Sequence, residues 1–209
     1  RLPPRDRGLL RTIVLSALRN RALLDHVLGR HLSRPLEGLE ADVRAGLRVG
    51  AAQLLLLERV PPHAAVGETV GAVRLRVPRA AGLVNAVLRK VAAEGKPPRI
   101  DLPPETGPIA RLALETSHPE WLVRRWVVDL GLEAAEAALR SDDAEAPVDV
   151  LLDPRGEDPD AFLARLRDGG LEGERSPWAP LAVTLSSAAA GSHPEIGRAS
   201  CRERVLTDV

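Results

Sequence analysis

Apolar residues over the first hundred positions recur at helical spacing between proline and glycine breaks, which predicts a bundle of five amphipathic helices. The first spans roughly 5–20, with Leu10, Ile13, Val14, Ala17 and Leu18 on its core side and Arg5, Thr12 and Arg19 opposite. A short second helix, about 22–32, is ended by Pro35 and Gly38. The third runs from about 39 to 58 and carries Glu40 and Asp42 in its first turn, where carboxylates complement the helix dipole. Val43, Leu47 and Leu54 form its apolar stripe, while Arg44 and Arg48 share its outer face. Gly46 and Gly50 each cost about 1 kcal/mol against alanine inside a helix, which predicts a neighbouring helix approaching closely there. The fourth helix opens at Pro61-Pro62 and ends near Arg74; the fifth runs from Arg79 to Glu94 and stops at Gly95.

Beyond it, KPPRIDLPPETGP at 96–108 reads as a linker. Helices at about 105–116, 118–130 and 132–141 follow. Ser117-His118-Pro119-Glu120 has the form of a capping box, the serine accepting from the first turn and Glu120 reaching back. From Pro147 the pattern turns to strands at Val148–Leu152 and Leu181–Leu185, with an edge strand near Leu171–Arg175. Between them Asp158-Pro159 caps a helix that Gly169-Gly170 ends. The expected fold is therefore mainly α: a helical bundle in 1–95, a linker in 96–108, a helical connector in 109–146, and a small, incomplete β-α-β domain in 147–190. Residues 195–209, beginning EIGRASCRERV, read as a non-native tail, the in-frame translation of an adapter-like nucleotide string.

Composition narrows the class. With 209 residues and 44% hydrophobic content the chain suits one domain and part of another. No apolar run reaches 18 residues and no signal-peptide pattern is present, so a cytoplasmic protein without a membrane partner is expected. Methionine is absent and arginine outnumbers lysine 27 to 2, which reads as a fragment from a GC-rich coding sequence. The single cysteine, Cys201, lies in the tail, so neither disulfides nor a cysteine metal site is expected.

A formal charge of zero conceals a division. Residues 1–100 hold 18 basic against 8 acidic side chains, and residues 101–194 hold 8 against 18. A +10 excess on a small helical domain is what phosphate neutralisation requires, although arginines on solvated helix faces give the same count. The candidate phosphate contacts are Arg5, Arg7, Arg11, Arg19, Arg44, Arg48, Arg79, Arg89 and Lys90. Residues 1–100 contain no Phe, Trp or Tyr, so the expected contacts are to phosphates and shape rather than to stacked bases. Asn85, four positions before Arg89, is expected to hydrogen-bond a neighbouring loop. No catalytic constellation, glycine-rich phosphate loop or metal-ligand spacing is present. His26 and His31, five apart, would point about 140° away from each other on a helix.

In this order the segments resemble the N-terminal part of the RsmB/Sun family of 16S rRNA cytosine-C5 methyltransferases. Arg5-Asp6-Arg7, Leu24-Asp25-His26, Arg34-Pro35-Leu36, the stretch 44–53, Val60–Glu68 and Gly82–Arg89 are similar to its NusB-like helical domain. Ser117–Leu122 is similar to the segment after that domain, and the β-α-β piece to the small domain before the methyltransferase core. The resemblance implies that residues 1–95 bind RNA, with 16S rRNA as the partner and a ribosomal protein as a second candidate. It also implies S-adenosylmethionine and a cysteine nucleophile for the full-length parent. No cofactor and no catalytic residue is expected in this chain itself. A stand-alone NusB-type antitermination factor shares the helical fold, but it needs neither the SHPEWL segment nor the β-α-β piece. A helical protein-interaction scaffold is the third reading.

Overall fold

The computed structural model describes residues 3–142, 148–154, 156 and 158–185, except the side chains of Pro4 and Arg5. The expected tail at 195–209, with Cys201, lies outside the described residues, as does the Arg5 side chain. The chain divides into two compact units, 1–144 and 145–209.

The first unit holds α1 (Pro4–Arg19), α2 (Arg21–Gly29), α3 (Ala41–Leu56), α4 (Pro62–Arg76), α5 (Ala81–Glu94), α6 (Pro108–Glu115), α7 (Glu120–Leu130) and α8 (Leu132–Asp142). Single 3-10 turns at Leu36–Gly38 and Pro78–Ala80 lead into α3 and α5, which is why those helices begin later than the apolar pattern predicts. Their shared core is built from Leu24, Val27 and Leu28 of α2, Leu47 and Ala51 of α3, and Val84, Leu88 and Val91 of α5, all fully buried. The glycine reading of α3 holds. A Cβ at Gly46 would run into Val73 of α4, and one at Gly50 would lie 2.5 Å from Leu88 Cδ1 and 3.2 Å from Thr69 Cγ2.

The first helix departs from expectation. Of its predicted core side only Ala17 is buried and Ile13 half-buried; Leu10, Val14 and Leu18 are 50%, 41% and 65% exposed. One small side chain lets α1 lie on the bundle along a narrow line, which leaves the rest of its apolar stripe in solvent.

The stretch 96–108 is pinned over its first half. Lys96 Nζ donates to the Leu57 carbonyl at 2.6 Å, at the C-terminal end of α3, where a cation is favoured. Ile100 packs on the bundle core, and Asp101 accepts from Arg30 at 3.1 Å. The connector helices close over a small core of their own, Leu112, Ala113, Val123 and Leu139. The predicted capping box is not formed. Pro119 takes the cap position of α7 without a side-chain bond, which strands Ser117 before the helix at φ 51°. Its hydroxyl instead accepts from the Leu23 amide at 3.1 Å, satisfying a first-turn donor of α2 that no local side chain caps.

The second unit is an antiparallel sheet of β1 (Val148–Leu151), β2 (Gly173–Arg175) and β3 (Ala182–Leu185), in the order β1-β3-β2. Helix α9 (Pro159–Asp168) follows β1, its first turn capped by Asp158, which accepts from the Asp160 amide at 2.9 Å. Phe162, Leu163 and Leu166 pack from α9 onto Val150, Leu152, Val183 and Leu185. No described helix is long and apolar enough to cross a membrane.

The α3 contact gives a direct test. Gly50→Ala is expected to destabilise the first unit by about 1–2 kcal/mol, because overpacking outweighs the helix-propensity gain. Gly67→Ala on α4, where nothing lies within 4 Å of a built Cβ, is expected to stabilise by up to about 1 kcal/mol. Urea denaturation in which both variants shift alike would refute the close-approach reading.

Candidate RNA-binding surface

The basic side chains of the bundle fall into two groups. In the first, arginine holds the fold together. Arg48 Nε and Nη2 donate to the two carboxylate oxygens of Asp25 at 2.6 and 2.7 Å, with both side chains more than three-quarters buried. That bidentate bond clamps α3 to α2 and raises the guanidinium above its ordinary pKa. Arg44 Nη1 reaches the carbonyls of Glu37 and Leu39 at 3.2 and 3.4 Å, bracing the turn that enters α3. Arg30 bridges Glu94 of α5 at 2.5 Å and Asp101 at 3.1 Å. Arg79 donates to Glu40 at 2.7 Å, but its side chain is 81% exposed and the carboxylate half exposed, so solvent screens the pair.

The second group is unpaired. Arg7, Arg11 and Arg19 on α1, and Arg89 and Lys90 on α5, are exposed and have no ionic partner among the described residues. Arg21, Arg34, Arg59 and Arg74 share that condition, although the helical pattern singles none of them out. Arg34 follows Ser33 in an irregular turn, where charge periodicity has nothing to register. From Arg79 in the 3-10 turn that leads into α5, Leu83, Ala86 and Lys90 of α5 follow at one-face spacing, spanning about 16 Å. Asn85, expected to tie down a loop, makes no side-chain hydrogen bond among the described residues, so its amide stays available. Gly82 and Ala86 are exposed on the same face, with no bulk to hold a partner's backbone away.

Four of the five histidines are among the described residues. His26 sits half-buried near Arg30 and Asp101, its Nε2 without a hydrogen-bond partner; burial first, and the Arg30 charge second, push its pKa below 6.5. His31 Nε2 lies 2.8 Å from Glu94 Oε1, close enough for an ion pair but outside hydrogen-bond geometry. His63 is exposed in the first turn of α4, and His118 Nε2 lies 3.9 Å from Asp142. Among the described residues no three His, Cys, Asp or Glu side chains are grouped to hold a metal ion. The exposed indoles of Trp121 and Trp178 stand outside residues 1–100.

Comparison with known proteins bears on both units. Residues 1–93 match the NusB family, and residues 118–190 match the RsmF/B-like methyltransferase ferredoxin-like domain. The second match starts at 118, so it takes in α7 and α8 as well as the sheet unit. The ribosomal RNA small subunit methyltransferase B of Pseudomonas putida is 35% identical over 185 residues, covering 88% of this chain and 41% of the relative. That of Xanthomonas campestris is 36% identical, covering 88% and 39%, and that of Klebsiella pneumoniae 30% identical, covering 88% and 41%. The chain thus spans about two-fifths of the length of these relatives. The solved structure of PH0851 superposes with a TM-score of 0.65 at 18% identity, over 86% of this chain and 40% of that one, which establishes a shared fold.

Two outcomes follow from this geometry. Arg48→Ala is expected to lower stability by about 1–3 kcal/mol, and Asp25→Asn to add little further in the double variant. Additive losses would show that the pair is not a coupled clamp. Because the folded state disfavours charged His26, stability is expected to fall as pH drops below about 6.5, and His26→Gln should flatten that fall. Identical pH profiles for the two proteins in thermal unfolding would contradict the assignment.

Proposed function

The chain belongs to the RsmB family, as an N-terminal part made of a NusB-family domain and an RsmF/B-like ferredoxin-like domain, and from that premise we propose that it is the RNA-gripping, substrate-recognition part of a 16S rRNA cytosine-C5 methyltransferase. The observation that carries the proposal is the set of exposed, unpaired cations on α1 and α5, Arg7, Arg11, Arg19, Arg89 and Lys90. Arg5, on the first turn of α1, belongs to the same proposal by position. Arg44 and Arg48 act in it mainly by shaping the bundle, since each already holds a carbonyl or carboxylate, whereas the solvent-screened pair with Glu40 leaves Arg79 able to turn to a phosphate. Free guanidinium and ammonium groups displace condensed counterions from RNA phosphates, and the released ions supply affinity that weakens with salt.

In the parent, S-adenosylmethionine supplies the methyl group transferred to cytosine C5. No described strand leads into a glycine-rich loop that would cradle that cofactor, and we assign it to none of the residues described. On this reading the bundle raises the residence time of rRNA near the methyl-transferring part, in the cytoplasm where ribosomes are assembled. A stand-alone antitermination factor would leave 118–190 without a role, and a pure protein scaffold would leave the free cations without one.

The test is salt-dependent retention of 16S rRNA fragments. Five phosphate contacts predict a slope of log affinity against log salt of about −3.5 to −4.5. Changing Arg7, Arg11, Arg89 and Lys90 together to Glu is expected to abolish retention at physiological salt while leaving the helical circular dichroism unchanged. Retention equal to wild type would overturn the proposal.

A further inference from the structure

Between the start of α3 and the start of α5 the bundle surface opens into a cleft of about 210 Å3. Its floor is apolar: Leu39 and Val43, buried at 5% and 2% exposure, meet Leu83 of α5 there. Its lining is also charged, with Arg34 and the Arg79–Glu40 pair. Arg34 has no partner among the described residues, and Arg79 is held by one solvent-screened carboxylate. At this size the cleft is smaller than sites for drug-sized ligands, which run to about 300–1,000 Å3, and it suits one flat ring.

We infer that this cleft takes a single unstacked nucleotide of the bound RNA, its phosphate between Arg34 and Arg79 and its base on the floor of Leu39, Val43 and Leu83. Two guanidiniums offer a phosphate diester the forked donors its oxygens accept, and with the Glu40 carboxylate beside them the lining carries a net +1 against the diester's −1. The base, lacking an aromatic platform, loses water against aliphatic carbon instead. Once Arg79 turns to the phosphate, the Glu40 carboxylate is free to accept from an exocyclic amino group, which favours cytosine, adenine or guanine over uracil. The cleft opens at the head of the α5 face that ends in Arg89 and Lys90, so a strand seated in it continues onto unpaired cations. This site rests on the proposed RNA binding and adds to it a contact with a base.

The experiment is a 1H–15N NMR titration of the chain with cytidine 5′-monophosphate, with cytidine and with inorganic phosphate. The nucleotide is expected to shift amides at 34, 39–43 and 79–83 and to bind about five- to twenty-fold more tightly than either fragment. Arg34→Ala, a surface change, and Leu83→Ala, which removes part of the apolar floor, should each weaken the nucleotide about five-fold or more. No shifts at these amides, or phosphate alone binding as well as the nucleotide, overturns the cleft. A second readout separates the two proposals. If Arg34→Ala leaves RNA affinity unchanged while reversal of Arg7, Arg11, Arg89 and Lys90 abolishes it, the cleft is wrong and RNA binding stands. If neither changes affinity, RNA binding itself fails.

Discussion

The α5 face and the cleft at its head depend on how closely α3 can lie against α4 and α5. Two glycines four residues apart remove the side chains that would hold the helices apart, and Val73, Thr69 and Leu88 fill the space. The consequence reaches the surface. With Leu88 seated against Gly50, the start of α5 lies beside the start of α3, with Arg79 2.7 Å from Glu40 and Leu83 lining one cleft with Val43. Interiors pack at near-crystalline density, so a methyl group added at this contact cannot be absorbed without moving a helix. The cleft, the α5 face and the core are thus one packing decision.

The same economy explains what the charge count could and could not reveal. Eighteen basic against eight acidic residues in 1–100 gives the sign of the surface, but not which cations remain free. The fold resolves that by distance. Asp25, Glu40, Asp42 and Glu94 are taken up by Arg48, Arg79, Arg76 and Arg30, arginines that sequence alone cannot tell from those left over. Pairing is local and three-dimensional: Arg48 finds Asp25 across 23 positions and Arg30 finds Glu94 across 64. Asn85 shows the opposite error, a polar side chain expected to be satisfied by a neighbour that the fold does not bring near it.

The legible parts of the fold were those written in short-range terms. Gly95, at φ 77°, ends α5 as its backbone freedom allows, and Asp158 caps α9 with its own side chain. Gly46 and Gly50 announced a close contact, because a helix interior tolerates them only for a packing reason. Two readings failed for physical reasons that lie outside any window of sequence. The apolar stripe of α1 is real, but amphipathicity says only that a face is apolar, not that something in this chain covers it. Ser117 carried a capping signature, yet the cap position fell to Pro119 and the hydroxyl found the α2 amide 94 residues away.

That misplaced serine bears on how the bundle and its connector cohere. The first turn of α2 has no side-chain cap of its own, since Asn20 turns back to donate to the Ser16 carbonyl at 3.1 Å. An uncapped amide beside a core must be satisfied by water or by another element, and Ser117 supplies the bond from beyond the 96–108 stretch. Lys96 on the Leu57 carbonyl and Asp101 on Arg30 fasten the intervening chain at two further points. With Ile100 packed on the bundle core between two of them, these three polar bonds fasten the connector, which keeps a small core of its own. A family boundary near residue 93 and a compact unit running to 144 are then compatible. The first marks where one hydrophobic core ends, and the second marks how far hydrogen bonds carry its order onward.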